Sequence, residues 1–263
     1  MSTYVLVHGA WHGGWCWSKV KPALERADGN VYTPTLTGLG ERAHLASPDI
    51  GLETHIEDVL RMLEYETLTD VVLVGHSYAG VVVTAVADRV PQRLSRLVYL
   101  DAVVPRSGQC LFDCTGPEFR RQIEEQVRTQ GEGWRIPVAS AERLGLTRDQ
   151  DINWAVPKLV PHPYRTFHEP VHLRVPAAPM VPRTYINCIG GKARGGPRTA
   201  QAEGIDDYHE LSTGHDAMVT VPEEVAELLL KAAQTRSRDA QPSLAESRIA
   251  TRAETSAIED PMK

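Results

Sequence analysis

Ser77 lies in the run Gly75-His76-Ser77-Tyr78-Ala79-Gly80, between the apolar stretch Val71 to Val74 and a stretch of small and β-branched residues, Ala79 to Ala87. A serine on a sharp strand-to-helix turn is held in a strained conformation with its hydroxyl exposed, as a nucleophile requires. Its neighbours must be small to avoid backbone clashes. Gly75, Ala79 and Gly80 meet that need, although Ala79 departs by one methyl from the G-x-S-x-G pattern. The start of a helix also aims unpaired N–H groups at the place where an oxyanion would form, so the Tyr78 N–H is one expected donor. The Ala10 N–H is the second, from the glycine-rich loop His8-Gly9-Ala10-Trp11-His12-Gly13-Gly14 after Val7.

A serine nucleophile needs a base within hydrogen-bond reach, and ten histidines compete for that role. Position selects His215, in Ser212-Thr213-Gly214-His215-Asp216, on the loop after the last strand and before the last helix. His44, His55 and His209 read as packing or capping residues, whereas His8 and His76 flank the serine. His8-x3-His12 has metal-like spacing, but the loop offers no third ligand, and Cys110-x3-Cys114 has no second pair nearby. No metal and no cofactor are expected. Gly190-Gly191-Lys192-Ala193-Arg194-Gly195-Gly196 lacks the order and the terminal Lys-Ser/Thr of a nucleotide-binding loop.

The elements that must position these residues follow from alternating patterns. Short β-branched runs at Tyr4 to Val7, Val31 to Pro34, Val71 to Val74, Leu94 to Leu100, Thr184 to Cys188 and Tyr208 to Leu211 read as strands. Helical patterns lie between them, near Trp15 to Ala27, Glu53 to Glu66, Ser77 to Val90 and Pro222 to Ala233. In the second, Ile56, Val59, Leu60 and Leu63 form the stripe of a helix with one buried face. This alternation predicts an α/β fold with a mostly parallel central sheet of about six strands flanked by helices. The rhythm breaks between Leu100 and Thr184, where Pro, His and aromatic residues surround a charged helical stretch at Glu118 to Arg128. A helical cap inserted at about 105–180 would form a cleft over the carboxyl edge of the sheet. Trp11, Trp134, Trp154 and Met218 are candidate substrate-binding residues there, with Tyr164 and Phe167 nearby; buried packing is the competing role for each aromatic.

The expected organisation is one domain over residues 1–233 and a flexible polar tail over 234–263. The tail's five basic and five acidic residues cancel, so it does not read as an electrostatic tether. A formal net charge of -6 argues against nucleic acid or an anionic membrane surface as partner. No apolar run approaches the ~20 residues of a membrane span, and the N-terminal run is too short for a signal-peptide core. The four cysteines show no framework spacing, so reduced thiols and a cytoplasmic location are expected, with a small-molecule substrate as partner. A homodimer is compatible with the sequence.

Four segments together carry a family likeness: Val5-Leu6-Val7-His8-Gly9-Ala10-Trp11-His12-Gly13-Gly14-Trp15, Val74 to Gly80, Val98-Tyr99-Leu100-Asp101-Ala102 and Gly214-His215-Asp216-Ala217-Met218. From Tyr4 to about Ala233 the chain resembles the methylesterase, hydroxynitrile lyase and pyrethroid-hydrolase branch of the α/β-hydrolase superfamily. The resemblance implies a cofactor-free acyl-enzyme mechanism, with Ser77 attacking an ester, His215 shuttling the proton and two N–H groups holding the oxyanion. The lyase members use a threonine in the first loop and a lysine after the catalytic histidine. Here those places hold Gly9 and Asp216.

The resemblance puts the third triad member just after Thr184-Tyr185-Ile186-Asn187-Cys188, but this chain continues Ile189-Gly190-Gly191-Lys192, with glycine where aspartate is expected. Asp206 and Asp207 precede the last strand and should lie ~10 Å or more away, at the opposite edge of the sheet. Asp101 ends the strand beside that of the nucleophile, at a spacing of ~4.8 Å, and some α/β-hydrolases carry their acid there. Asp101 is the candidate acid; Asn187, a water-held arrangement, or an Asp101 that only anchors loop backbone are the alternatives. The expected function is serine-dependent hydrolysis of a small, largely apolar or aromatic carboxylic ester. A lyase, eliminase or cyclase using His215 as base without an acyl-enzyme is the alternative, and a non-catalytic small-ligand binder is a third reading.

Overall fold

The computed structural model describes residues 1–174, 181–190 and 204–234. Its strands are β1 (Ser2–Val7), β2 (Gly29–Tyr32), β3 (Val71–His76), β4 (Leu94–Leu100), β5 (Arg135–Ile136), β6 (His162–Pro163), β7 (Arg183–Cys188) and β8 (Asp207–Leu211). All but β5 and β6 join one sheet in the order β2-β1-β3-β4-β7-β8, with every neighbouring pair parallel. In central β3 every residue is buried, as expected for a parallel strand covered on both faces. The edge strand β8 instead alternates exposed and partly buried residues before Leu211.

The helices before the insertion are α1 (Lys21–Arg26), α2 (Leu52–Tyr65) and α3 (Ala79–Arg89). The insertion between β4 and β7 carries α4 (Leu111–Thr115), α5 (Pro117–Gln130), α6 (Ala141–Leu144), α7 (Asp149–Ala155) and α8 (Arg165–His168), together with the antiparallel β5–β6 pair. After β8 come α9 (Ala217–Thr220) and α10 (Pro222–Gln234). Helix α2 packs on α3, and α1 packs on α10.

Two elements differ from the sequence reading. The helix expected over Trp15 to Ala27 is a 3-10 turn at Gly14–Trp17 followed by α1. Pro22 has no N–H to bond back to Ser18, so one continuous helix cannot form across it. Strand β2 begins at Gly29 and ends at Tyr32, paired with β1 from Ser2↔Gly29 to Val5↔Tyr32, so Pro34 lies beyond the ladder.

The insertion is tied to the core at several points. Glu169 Oε2 accepts from the Leu52 N–H at 2.6 Å, satisfying a donor at the start of α2. The Val160 N–H donates to the Trp11 carbonyl, and the Asp216 N–H to the Leu144 carbonyl. Gly145, at φ +73, lies so close to Gly214 that a Cβ on it would stand 2.5 Å from the Gly214 Cα. The insertion therefore contacts both the loop after β1 and the loop bearing His215. Among the described residues, no helix is long and apolar enough to cross a membrane. Gly191, Lys192, Arg194 and the tail beyond Gln234 lie outside the described residues.

Candidate active site

Strand β3 delivers Ser77 to the carboxyl edge of the sheet. Ser77 has φ +55, the strained left-handed conformation expected of an elbow, and its N–H donates to the Leu100 carbonyl at the end of β4. Close packing explains the small neighbours: a Cβ on Gly80 would stand 1.9 Å from the Val103 carbonyl oxygen, and one on Gly75 would stand 2.6 Å from Val83 Cγ2. Ala79 is completely buried in α3, so the one-methyl departure at that position is accommodated.

His76 pairs with Leu100 in the β3–β4 register, so the next residues, Ser77 and Asp101, leave neighbouring strands at the same level. Asp101 is also left-handed, at φ +43, and its N–H donates to the Ile186 carbonyl. His215 reaches both from the loop after β8. Its Nε2 lies 2.7 Å from Ser77 Oγ and its Nδ1 lies 2.5 Å from Asp101 Oδ2. A carboxylate can only accept, so Nδ1–H donates to Asp101 and Nε2 is left to accept from the serine hydroxyl. The His215 and Asp101 side chains are 9% and 18% exposed, open enough for reactants yet shielded from bulk water.

The other sequence candidates for the acid are engaged elsewhere. Asp206 accepts from the Arg183 N–H, Asp207 pairs with His209, and Asn187 donates to the Tyr208 hydroxyl. Gly190 is packed so that a Cβ would stand 2.8 Å from the backbone of Thr213.

The N–H groups of Ala10 and Tyr78 have no acceptor among the described residues. The adjoining Gly9 is required by space, since a Cβ there would stand 2.8 Å from His76 Nδ1 and 3.0 Å from Ser77 Cβ. Beside Ala10, Trp11 adopts φ +67 and packs edge-on to Phe167. It lines a cleft of about 300 Å³ together with Gln122, Ile123, Gln126, Val138 and Arg143 of the insertion. The remaining substrate-binding candidates stand apart from that cleft. The half-buried Trp134 lies under the Arg135 guanidinium at 4.2 Å, and Trp154 packs on Trp15 between the ammonium groups of Lys19 and Lys158. Met218 is fully enclosed in the core.

Sequence reasoning set His8 and His76 beside the serine and read His55 as packing, but it missed His162 and the partners that join these buried rings into a shell around the elbow. His55 Nε2–H donates to the Thr37 carbonyl, so its Nδ1 accepts from the Tyr78 hydroxyl at 2.9 Å. His162 donates to Thr166 Oγ1, and Phe167 stacks on the Tyr78 ring. His8 donates to the Gly9 carbonyl and accepts from the Leu36 N–H. Burial lowers the pKa of His8 and His76 to about 3 and that of His55 to about 4, and drives His162 well below its usual value. All four rings are thus neutral. The lone period-three-to-four spacing of His55 within the α2 stripe was the available signal, because a histidine on an apolar face must find buried partners.

A parallel sheet with a strained serine at the end of its third strand and a histidine after its last defines a class of hydrolase. Residues 4–228 match the Alpha/beta hydrolase family, and the chain belongs to that family. It is 38% identical over 240 residues to a carbendazim hydrolyzing esterase of Nocardioides sp. (strain SG-4G), covering 87% of this chain and 98% of that protein. A segment is 39% identical to Methylesterase 9 of Arabidopsis thaliana, covering 49% of this chain and 50% of the plant protein. An extracellular alpha/beta-hydrolase from a Paenibacillus species superposes with a TM-score of 0.78 at 23% identity, covering 89% of this chain and all of the other. At that identity the superposition speaks for the fold.

Proposed function

We propose that this protein, a carboxylic ester hydrolase, acts through an acyl-enzyme formed on Ser77. The supporting observation is the unbroken chain from Ser77 Oγ through both nitrogens of His215 to the Asp101 carboxylate, with distances of 2.7 and 2.5 Å. Ser77 Oγ attacks the ester carbonyl while His215 Nε2 takes its proton, and Asp101 stabilises the resulting imidazolium. The oxyanion is met by the N–H groups of Ala10 and Tyr78. His215 then protonates the departing alcohol, and water releases the acid by the same steps in reverse order.

The substrate in this reading is a small apolar or aromatic ester, for which the cleft of about 300 Å³ beside Trp11, the residue after Ala10, has room; Gln122, Gln126, Ser140 and Arg143 give that cleft polar walls as well. Methyl esters of aromatic acids are the first substrates to test, in keeping with the names of the esterase and methylesterase relatives. The lyase alternative drew its motive from a missing acid, and the proximity of Asp101 to His215 removes that motive. A threonine at position 9 would also collide with His76 and Ser77. Labelling with a fluorophosphonate tests the reading: it should modify the protein stoichiometrically and vanish in Ser77→Ala along with aryl-ester turnover. An unlabelled protein that turns over no ester, or a Ser77→Ala variant that keeps its activity, would overturn it.

A further inference from the structure

Asp216, next in the chain to the base, carries a fully buried carboxylate that the mechanism above does not use. Its Oδ2 lies 3.0 Å from His12 Nε2, bridging 204 positions in the chain. The other nitrogen of the same ring, His12 Nδ1, lies 2.7 Å from the Ala10 carbonyl oxygen. A carbonyl and a carboxylate are both acceptors only, so the ring must donate from both nitrogens and is an imidazolium. Burial opposes that charge, but the adjacent Asp216 carboxylate and the two hydrogen bonds outweigh it and hold the His12 pKa above its usual value. Burial likewise penalises the Asp216 carboxylate, yet His12 keeps its pKa below the usual range. Trp15 stacks on the ring with centroids 5.4 Å apart, giving the cation an aromatic face.

The pair links the two halves of the site. His12 fixes the carbonyl of the residue whose N–H meets the oxyanion, and Asp216 is the residue after the base. On the far side, His76 Nε2–H donates to the His215 carbonyl at 3.0 Å and lies 3.9 Å from the otherwise unpartnered Asp216 Oδ1. We propose that His12 and Asp216 are positioning residues: an ion pair that sets the distance between the oxyanion loop and the loop of the base. The inference rests on the Ser77 acyl-enzyme reading for its catalytic consequence, but not for the charge state of His12.

Two measurements test it. In the wild-type protein, long-range 1H–15N spectra followed with pH should show His12 keeping protons on both nitrogens to a higher pH than an ordinary histidine, which loses its second proton near 6.5. A His12 that is neutral at or below that ordinary value overturns the proposal whatever any variant does. In the second, Asp216→Asn and His12→Gln should each lower kcat by about 10- to 100-fold, the usual effect of removing a supporting partner, with KM changed less than about threefold. The double variant should be no slower than the slower single one, because one pair is removed in all three. Full kcat in either single variant, or losses that multiply in the double variant, would refute the pairing. Ser77→Ala measured alongside separates the readings: activity there refutes the acyl-enzyme, whereas an inactive Ser77→Ala beside a fully active Asp216→Asn refutes only the positioning role.

Discussion

Two kinds of histidine surround Ser77, and they differ in what faces their ring nitrogens. His215 stands between a hydroxyl and a carboxylate at a partly open edge, so a proton arriving on Nε2 finds a negative charge waiting at Nδ1. His55, His162 and His8 stand among carbonyls, hydroxyls and an amide in the closed interior, with no carboxylate hydrogen-bonded to their rings. The same side chain is thus placed to carry a proton, as the proposed acyl-enzyme requires, in one environment and is a neutral strut in the other. Partners and access to water separate the two roles.

The sharpest way to break this contrast is at the nucleophile. Ser77→Ala should lower kcat for an aryl ester by at least about 10⁴-fold while leaving thermal unfolding nearly unchanged, as steady-state assays and melting curves would show. Asp101→Asn comes next, with a loss of at least about 100-fold in kcat and an intact fold by circular dichroism, because the amide can no longer stabilise the imidazolium. Near-normal turnover in that variant would return Asp101 to the role of a backbone anchor.

The buried set should reveal itself through stability. In the folded protein, His8, His55 and His76 resist protonation down to about 3 or 4, whereas the unfolded chain takes up protons near 6.5. Above about pH 6.5 their contribution is complete. As the pH falls below that value the unfolded state binds more protons, and each ring removes up to about 1.4 kcal/mol of stability per pH unit. Urea midpoints at pH 7 and pH 5 measure the drop, and equal midpoints would contradict the neutral shell. The smallest effect is expected for Tyr78→Phe, which strands His55 Nδ1 without a donor and should cost about 1–3 kcal/mol by denaturant titration.

Much of the carboxyl edge was legible because its signals are local. The register of β3 against β4, the glycine pattern around Ser77 and the step from Leu100 to Asp101 all follow from residues adjacent in the chain. Strand β4 runs over the residues that its pattern marked, and the sheet is parallel as the alternation implied. What stayed hidden depends on partners far apart in sequence. His12 reads as half of a metal-like spacing until Asp216 is brought beside it, and His55 reads as packing until Tyr78 is seen to donate to it. Trp154 and Met218 read as lining because apolar content cannot distinguish a cleft wall from an enclosed core; Trp154 packs on Trp15, and Met218 is sealed. The broken helix after β1 was visible in Pro22 but outweighed by the apolar pattern around it.

The site of Asp101 also bears on mechanical tolerance. Adjacent strands in a sheet are rotated by about 20–25° relative to each other, and each further strand adds another such step. Ser77 and Asp101 follow the directly bonded strands β3 and β4, whereas an acid after β7 would stand one strand further from the serine. A change in sheet twist therefore accumulates over one interstrand step between Ser77 and Asp101, the proposed nucleophile and acid, instead of two.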